Sequence, residues 1–221
     1  THSDDDGLIV PPKVAPAQIV LLPIAHKPED RQKVLEYCDR LASELGRQFY
    51  NQRHLVVEVD KRDIGGARGW DWIKKGVPLR VEIGPRDIAD NAVFVARRDK
   101  GHREKSSMPR RQFISQVGQL LDEIQENLFQ RALDHQQANT FDMDDKGAFY
   151  DFFTPRNKHK PEIHGGFANA HWCGDAACEA KIKEDLTVTI RCIPFEASSG
   201  SGQCICCGKP SDKRVVFAKS Y

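Results

Sequence analysis

Six of the seven cysteines of the chain lie between Cys173 and Cys207. They include two close pairs, Cys173 with Cys178 at C-x4-C spacing and Cys204 with Cys207 at C-x2-C spacing. Two thiolates a few residues apart can bind one ion from a single turn, and tetrahedral zinc takes four such donors. Because four thiolates leave no open position for a catalytic water, the spacing predicts a structural zinc site.

Other interpretations of these residues remain open. Cys206 can replace Cys204 or Cys207 as a ligand, and His164 and His171 are weaker candidates. The rival hypothesis is a pair of disulfides, but the adjacent thiols at 206 and 207 and the odd total argue against a disulfide framework. Reduced thiols are typical of the cytoplasm, so we expect a cytoplasmic protein.

The composition narrows the function classes further. The 221 residues carry a net charge of +1, so nucleic-acid binding would need a local patch rather than a global basic field. No apolar run approaches the roughly 20 residues that span a bilayer. The sequence also lacks a Walker A motif, a G-x-G-x-x-G after its first strand, a G-x-S-x-G elbow and the H-x-E of zinc deaminases.

Hydrophobic periodicity predicts an α/β domain between residues 18 and 135. We predict strands at 18–24, 55–60, 79–83 and 91–96, and helices at 28–46, 70–75 and 109–135. A strand, a helix and a second strand of this size form a crossover, so the sheet is at least partly parallel. The strand LRVEI alternates, which predicts one buried face and an outward face that carries Arg80 and Glu82.

The sequence that follows residue 135 predicts a smaller α+β region around the cysteines. A helix is expected near 176–184, with strands near 187–193 and 215–218. The segment 136–164 is polar and weakly patterned, and we predict a solvated loop there.

Several separate stretches resemble prolyl-tRNA synthetases. Residues 1–18, THSDDDGLIVPPKVAPAQ, resemble the end of the catalytic domain, where T-H-(G/S)-D-D-x-G-L-x-x-P-P follows the third class II motif. Residues 75–87, KGVPLRVEIGPRD, look like the family's K-G-V-P-x-R-x-E-x-G-P-x-D signature. The segments WCG at 172–174, RCIPF at 191–195 and FAKSY at 217–221 look like its C-terminal zinc domain.

This resemblance implies the C-terminal half of an ATP- and Mg²⁺-dependent ligase that joins proline to tRNA(Pro). It implies a tail of the class II catalytic domain at 1–17 and an anticodon-binding α/β domain with a mixed, partly parallel sheet and flanking helices at 18–135. A small α+β zinc-binding domain at 136–221 would follow. The resemblance places no catalytic residue in this part, and it implies a homodimer formed through the catalytic domain. The alternative is a non-catalytic, synthetase-like module that binds tRNA.

The resemblance also implies which residues meet the anticodon. Proline anticodons end in two guanines, whose unpaired edges offer donors at N1 and N2 and acceptors at O6 and N7. A carboxylate and an arginine or lysine can meet both, and the glutamate matching Glu82 is expected at a guanine edge. The predicted anticodon-binding residues are Arg80, Glu82, Arg86, Asp87 and Arg97. Trp70, Trp72 and Phe94 are candidate stacking surfaces, although alternating charges also occur on any solvated strand face.

The C-terminal residue has an implied role as well. In the family, the last domain folds back towards the active site, and the terminal tyrosine carboxylate lies near it. Tyr221 matches that ending and is predicted to lie near the active site. The alternative is a frayed terminus.

Overall fold

The computed structural model describes residues 2–62, 66–157, 159, 164–195 and 200–220. The chain divides into two compact units, residues 1–131 and 132–221. Both units mix helices with strands, and the predicted α/β class with a partly parallel sheet is confirmed. Within the described ranges, no helix is long and apolar enough to cross a membrane.

The first unit is built around a five-stranded mixed sheet. Its elements are β1 Ser3–Asp4, β2 Gly7–Leu8, β3 Ile19–Pro23, α1 Pro28–Leu45, β4 Phe49–Tyr50, β5 Arg53–His54, β6 Val57–Val59, α2 Ala67–Lys75, β7 Leu79–Ile83, α3 Pro85–Ala89, β8 Ala92–Arg97, β9 Lys105–Pro109 and α4 Arg110–Ala138. The strand order is β6-β3-β7-β8-β9. Strand β3 runs parallel to β6 and β7, whereas β7, β8 and β9 pair antiparallel.

The two faces of this sheet differ in how they are covered. One face packs against α1 and α4 in a large core whose fully buried members include Leu41 and Phe113. The other face carries a smaller cluster, in which Trp72 of α2 packs against Val20 and Leu22 of β3. Because β3 is buried on both sides, it has the continuous apolar run expected of a central parallel strand.

Glycine ends α2, as the sequence predicts. Gly76 adopts φ 74°, and its amide donates to the carbonyl of Ile73. A Cβ at this position would lie 2.7 Å from backbone atoms of Leu8, so both the conformation and the close approach of β2 require glycine.

Residues 2–17 pack within the first unit. The fully buried amide of Gln18 donates to the carbonyls of Pro12 and Ala15 at 3.1 and 2.9 Å. Buried Arg98 binds Asp4 in the β1–β2 hairpin through two hydrogen bonds. Because Ile19, Leu79 and Arg97 are paired across β3, β7 and β8, both contacts bind the segment to the same end of the sheet.

The second unit contains a four-stranded sheet and two helices. Its elements are β10 Thr140–Asp142, α5 Lys146–Phe153, β11 Phe167–His171, α6 Ala176–Leu186, β12 Val188–Cys192, β13 Gly202–Gln203, β14 Pro210–Ser211 and β15 Arg214–Lys219. The strand order is β10-β11-β15-β12, with β10 parallel to β11 and the other pairs antiparallel. Strands β13 and β14 form a separate two-stranded ladder.

The predicted solvated loop over 136–164 is wrong where α5 lies. Phe149 and Phe153 are fully buried, and the ring of Phe149 lies 5.2 Å from that of Phe217. The side chain of Asp145 caps the helix by accepting from the amide of Ala148 at 2.7 Å. Two aromatic residues four positions apart therefore form a buried helical stripe that the polar average of the segment conceals.

Candidate metal centre and nucleic-acid interface

Four cysteine sulfurs converge in the second unit. The Sγ atoms of Cys173, Cys178, Cys204 and Cys207 all lie within 4.8 Å of one another. The Sγ of Cys173 is 3.7 Å from that of Cys178 and 3.8 Å from that of Cys207. Zinc–sulfur bonds of about 2.3 Å in a tetrahedron place the sulfurs about 3.8 Å apart, so the group fits a four-thiolate metal site.

The first pair is positioned by the junction between β11 and α6. Cys173 follows the end of β11, and Gly174 reverses the chain with φ 85°. Asp175 then caps α6 by accepting from the amide of Ala177 at 2.9 Å. This cap fixes the first turn of the helix, which carries Cys178 back towards Cys173.

The second pair lies on a tight turn between β13 and β14. The amide of Gly208 donates to the carbonyl of Cys204 at 2.8 Å, and the amide of Cys204 donates to the carbonyl of Lys209 at 2.8 Å. Gly208 adopts φ 74°, which few side chains tolerate. The turn brings the sulfurs of positions 204 and 207 to the same side.

The alternative ligands lie elsewhere. Cys206 is buried, but its sulfur is not part of the four-sulfur group, and its carbonyl accepts from Lys146 Nζ at 2.7 Å. His171 is buried against Gly202: a Cβ added to Gly202 would lie 2.3 Å from the imidazole of His171. His164 packs against the ring of Phe152 at 4.6 Å.

The surroundings of Cys204 favour its thiolate. Burial opposes ionisation, but hydrogen bonds involving the backbone of Cys207, Cys173 and Cys206 outweigh it and lower the pKa of Cys204 to about 7. Burial raises the pKa of Cys178. A metal ion bound by these sulfurs would displace their protons.

In the first unit, Arg80 and Glu82 share one face of β7. Arg80 is paired with Ala96 of β8 and Glu82 with Phe94, so all four lie on the side of the sheet that α2 covers. Arg80 points away from the large core, as predicted, but the expectation that this face is outward is wrong at Arg80, which is only 3% exposed. Alternation within β7 did not reveal that a second layer lies over this face.

Arg80 is a buried cation with an unused donor. Among the described residues, its Nη1 has no hydrogen-bond partner. Burial lowers the pKa of Arg80, and the charge of Arg98 lowers it further, while Glu82 and Asp6 oppose the shift. Buried donors are normally paired, so an acceptor from a ligand would complete this environment.

Glu82 is held by a residue that sequence reasoning missed. Lys105 of β9 donates from Nζ to Glu82 Oε1 at 2.5 Å, and both side chains are 28% exposed. The same Nζ lies 5.9 Å from the ring centroid of Phe94. Strand β9, KSSMP, shows no regular alternation, so the sequence contains no signal that would place Lys105 beside Glu82.

The structure does not bring all the predicted anticodon residues together. Arg86 is exposed on α3, and Asp87 accepts from the amide of Gly84 at 2.8 Å, which caps that helix. Arg97 lies on the opposite face of the sheet, because its partner in β7 is Leu79. There it binds Asp99 at 2.8 Å and Glu123 of α4 at 2.7 Å. Tyr221 lies outside the described residues.

Comparison with known proteins finds matches in both units of the chain. An anticodon-binding domain model matches residues 18–120, and a model of the C-terminal part of prolyl-tRNA synthetase matches residues 157–221. Proline–tRNA ligase 2 of Anaeromyxobacter dehalogenans is 51% identical over 226 residues, a match that covers 100% of this chain and 44% of that protein. Over its whole length, the chain is homologous to proline–tRNA ligases.

Other relatives agree with this assignment. The proline–tRNA ligase of Protochlamydia amoebophila is 46% identical over 222 residues, with 100% of this chain and 44% of that protein covered. A crystal structure of prolyl-tRNA synthetase from Cryptosporidium parvum, complexed with L-proline and AMP, superimposes with a TM-score of 0.80 at 29% identity. The superposition covers 100% of this chain and 44% of the Cryptosporidium parvum chain. The chain thus spans less than half the length of the family members it matches.

The matched regions divide between the two sites. Arg80, Glu82 and Lys105 fall inside the range that the anticodon-binding domain model matches, and the four clustered cysteines fall inside the range that the C-terminal model matches. The two groups of residues therefore fall in regions that two different family models match.

Proposed function

We propose that this chain is the tRNA-reading and metal-stabilised C-terminal part of a proline–tRNA ligase. The full-length protein would join proline to tRNA(Pro) with ATP and Mg²⁺, using a catalytic part that lies outside this chain. The buried, incompletely bonded guanidinium of Arg80 beside the carboxylate of Glu82 is the observation that supports the role of this part. The position of the pair within the region that matches the anticodon-binding model adds to that support.

The chemistry of guanine fits this pair. The carboxylate of Glu82 would accept from N1–H and N2–H, and Arg80 or Lys105 would donate to O6 or N7. In the free protein, Lys105 neutralises Glu82. On binding, its ammonium would move to a guanine acceptor or a phosphate, which leaves both carboxylate oxygens for the base. Exposed Arg86 on the neighbouring helix would contact the RNA backbone or a base, and Asp87 would hold the turn.

The four-cysteine group would hold a structural zinc ion through Cys173, Cys178, Cys204 and Cys207. Such an ion would join the β11–α6 junction to the β13–β14 turn in a unit of modest size. Metal binding of this kind contributes directly to folding.

The remaining parts of the proposal concern the full-length enzyme. It would be a cytoplasmic homodimer that associates through its catalytic part, and Tyr221 would lie near the active site. The segment 1–17 would be the tail of the catalytic domain, followed by the anticodon-binding domain at 18–135 and the zinc domain at 136–221.

Binding of the purified chain to proline tRNA tests the proposal. Two transcripts are compared: one has the natural anticodon, and the other has its two anticodon guanines replaced with other bases. The salt concentration is held fixed, because phosphate contacts alone make affinity salt-dependent. We expect a marked preference for the guanine anticodon. Equal affinity for both transcripts, or no binding, would contradict a role in anticodon reading.

A further inference from the structure

Trp70 and His102 form an aromatic pair at the surface of the first unit. Their ring centroids are 5.0 Å apart, with the planes inclined by 49°. Trp70 projects from α2 and is 45% exposed, and His102 lies in the loop between β8 and β9. A tryptophan with this much exposed area presents a large apolar face to solvent, although such a ring usually packs into a core or an interface.

Hydrogen bonds hold His102, and with it the aromatic pair, to the N-terminal hairpin. His102 Nδ1 lies 3.1 Å from Asp6 Oδ2, and the two side chains are 34% and 35% exposed. The amide of Asp6 in turn donates to Asp4 Oδ1 at 3.0 Å, and Asp4 is bound by buried Arg98. The imidazole is therefore oriented by a hydrogen-bonded chain that ends in the body of the unit.

Asp6 and helix α2 link the pair to the side of the sheet that carries Arg80 and Glu82. Asp6, which contacts His102, lies near enough to Arg80 for its charge to act on that guanidinium. Helix α2, which carries Trp70, is also the helix that covers this side of the sheet through Trp72. A nucleic acid that reaches Arg80 and Glu82 would therefore approach the side of the sheet on which the helix that carries Trp70 packs.

The other aromatic residues of this face are engaged with protein groups. Trp72 donates from Nε1 to Asp60 at 2.8 Å, and Lys75 Nζ lies 4.3 Å from its ring centroid. Phe94 is half-buried in β8, with Lys105 near its ring. Trp70 is the one of these three rings with a broad exposed surface.

We propose that the Trp70–His102 pair is a stacking platform for an unpaired base of the anticodon loop that flanks the two guanines. The proposal rests on the proposed tRNA-binding function and adds a contact of a different kind. Stacking on an aromatic ring tolerates any base, because every base has a π-face. The platform therefore contributes affinity, whereas Glu82 contributes the choice of guanine.

The experiment uses the whole chain and proline tRNA transcripts with 2-aminopurine placed in turn at each nucleotide flanking the two guanines. Stacking on Trp70 should quench the probe at one of these positions. We expect Trp70→Ala to abolish the quenching and to weaken binding about 5- to 140-fold, equally for transcripts with and without the anticodon guanines. Trp70→Phe should retain part of the affinity, and His102→Ala should lose part of it.

Phe129→Ala is the matched control, because Phe129 is 58% exposed on α4, which packs on the opposite face of the sheet. It should leave both readouts unchanged. If the wild-type chain binds tRNA but Trp70→Ala reduces neither the quenching nor the affinity, the stacking platform is refuted. The proposed anticodon-binding function then stands. If the wild-type chain binds no tRNA, the proposed function fails first, and the platform falls with it.

Discussion

The guanidinium of Arg98 binds both carboxylate oxygens of Asp4, at 2.7 and 2.5 Å, across 94 residues of sequence. Arg98 is buried at the end of β8, whereas the side chain of Asp4 is 41% exposed in the N-terminal hairpin. The same guanidinium donates to the carbonyls of Gly7 and Ile73. One buried cation thus holds the hairpin and α2 together beside Arg80.

This pair predicts a specific acid sensitivity. The hydrogen bonds from Arg98 lower the pKa of Asp4 from 3.8 to about 2. A carboxylate with a depressed pKa contributes stability that is present above its unfolded pKa and is lost as pH falls through the folded value. We therefore expect the free energy of unfolding of the first unit to decline between about pH 4 and pH 2. Asp4→Asn should flatten this part of the profile in urea titrations.

The same substitution should destabilise the unit at neutral pH by about 1–3 kcal/mol, because it leaves a buried guanidinium with a weakened partner. Asp5→Asn, at an exposed position in the same hairpin, is the control and should change neither quantity. An unaltered pH profile in Asp4→Asn would show that the Asp4–Arg98 pair does not govern the acid response.

Metal removal should affect the second unit selectively. We expect a zinc chelator to lower its thermal midpoint, because folding and metal binding are coupled in four-thiolate sites. Cys207→Ala should reduce bound zinc to background in a colorimetric release assay. Cys206→Ala alters a neighbouring buried thiol that is not part of the sulfur group, and it should keep one zinc per chain. Equal zinc loss in both variants would contradict the assignment.

The sequence predicted those elements whose side chains alternate or repeat strongly. Strand β7 matches its predicted bounds, and α1 begins at Pro28 as expected. The four clustered cysteines were recognisable because ligand spacing is local. Strand β11 was missed because its buried positions are Ala168 and Ala170, which bury little area and give a weak periodic signal.

Other features depend on contacts between distant segments. Arg80 is buried on the side of the sheet that α2 covers, and that cover is not visible in the alternation of LRVEI. The contact of Lys105 with Glu82 depends on the register of β8 and β9. Sequence patterns report which face of a strand is apolar, but not which other segment covers the polar face.

Arg80 allows stability and RNA binding to be separated. Its Nη1 lacks a partner within the described part of the chain, and its charge is buried next to that of Arg98. Replacing a poorly compensated buried cation with an apolar residue of similar volume is often neutral or stabilising. We expect Arg80→Met to leave the free energy of unfolding unchanged or raised, and to weaken binding of proline tRNA about tenfold or more.

The measurements are urea unfolding and equilibrium tRNA binding on the same preparation. Arg86→Met is the comparison, because it removes a positive charge that is proposed to contact RNA but lies at an exposed position on α3. A large loss of stability in Arg80→Met, with RNA binding reduced only in proportion, would indicate that Arg80 supports the fold rather than the ligand.

The aromatic stripe of α5 should carry much of the stability of the second unit. Phe149 is fully buried, with its ring 5.1 Å from Phe153 and 5.2 Å from Phe217. Phe149→Ala should cost about 3–5 kcal/mol, the range for removal of a large ring from a core. Phe141→Ala, at a position that is 44% exposed, should cost much less. Similar thermal midpoints for the two variants would show that α5 contributes little to this core.

Glu82 should determine the preference for guanine. Glu82→Gln keeps the size of the side chain but replaces one acceptor oxygen with an NH₂ donor, which faces the N1–H and N2–H donors of guanine. We expect a loss of about 1–3 kcal/mol for the guanine anticodon and little change for a transcript with those guanines replaced. The free energy of unfolding should change little, because the ion pair of Glu82 with Lys105 is partly exposed to solvent.

Competition titrations with the two transcripts at fixed salt give the discrimination directly, and their salt dependence separates base contacts from phosphate contacts. Loss of a base contact leaves the slope of affinity against salt unchanged, whereas loss of a phosphate contact reduces it. Asp90→Asn is the control, because Asp90 is exposed at the C-terminal end of α3. If Glu82→Gln weakens both transcripts by the same factor, its carboxylate positions Lys105 and the strand, and guanine must be read by another group.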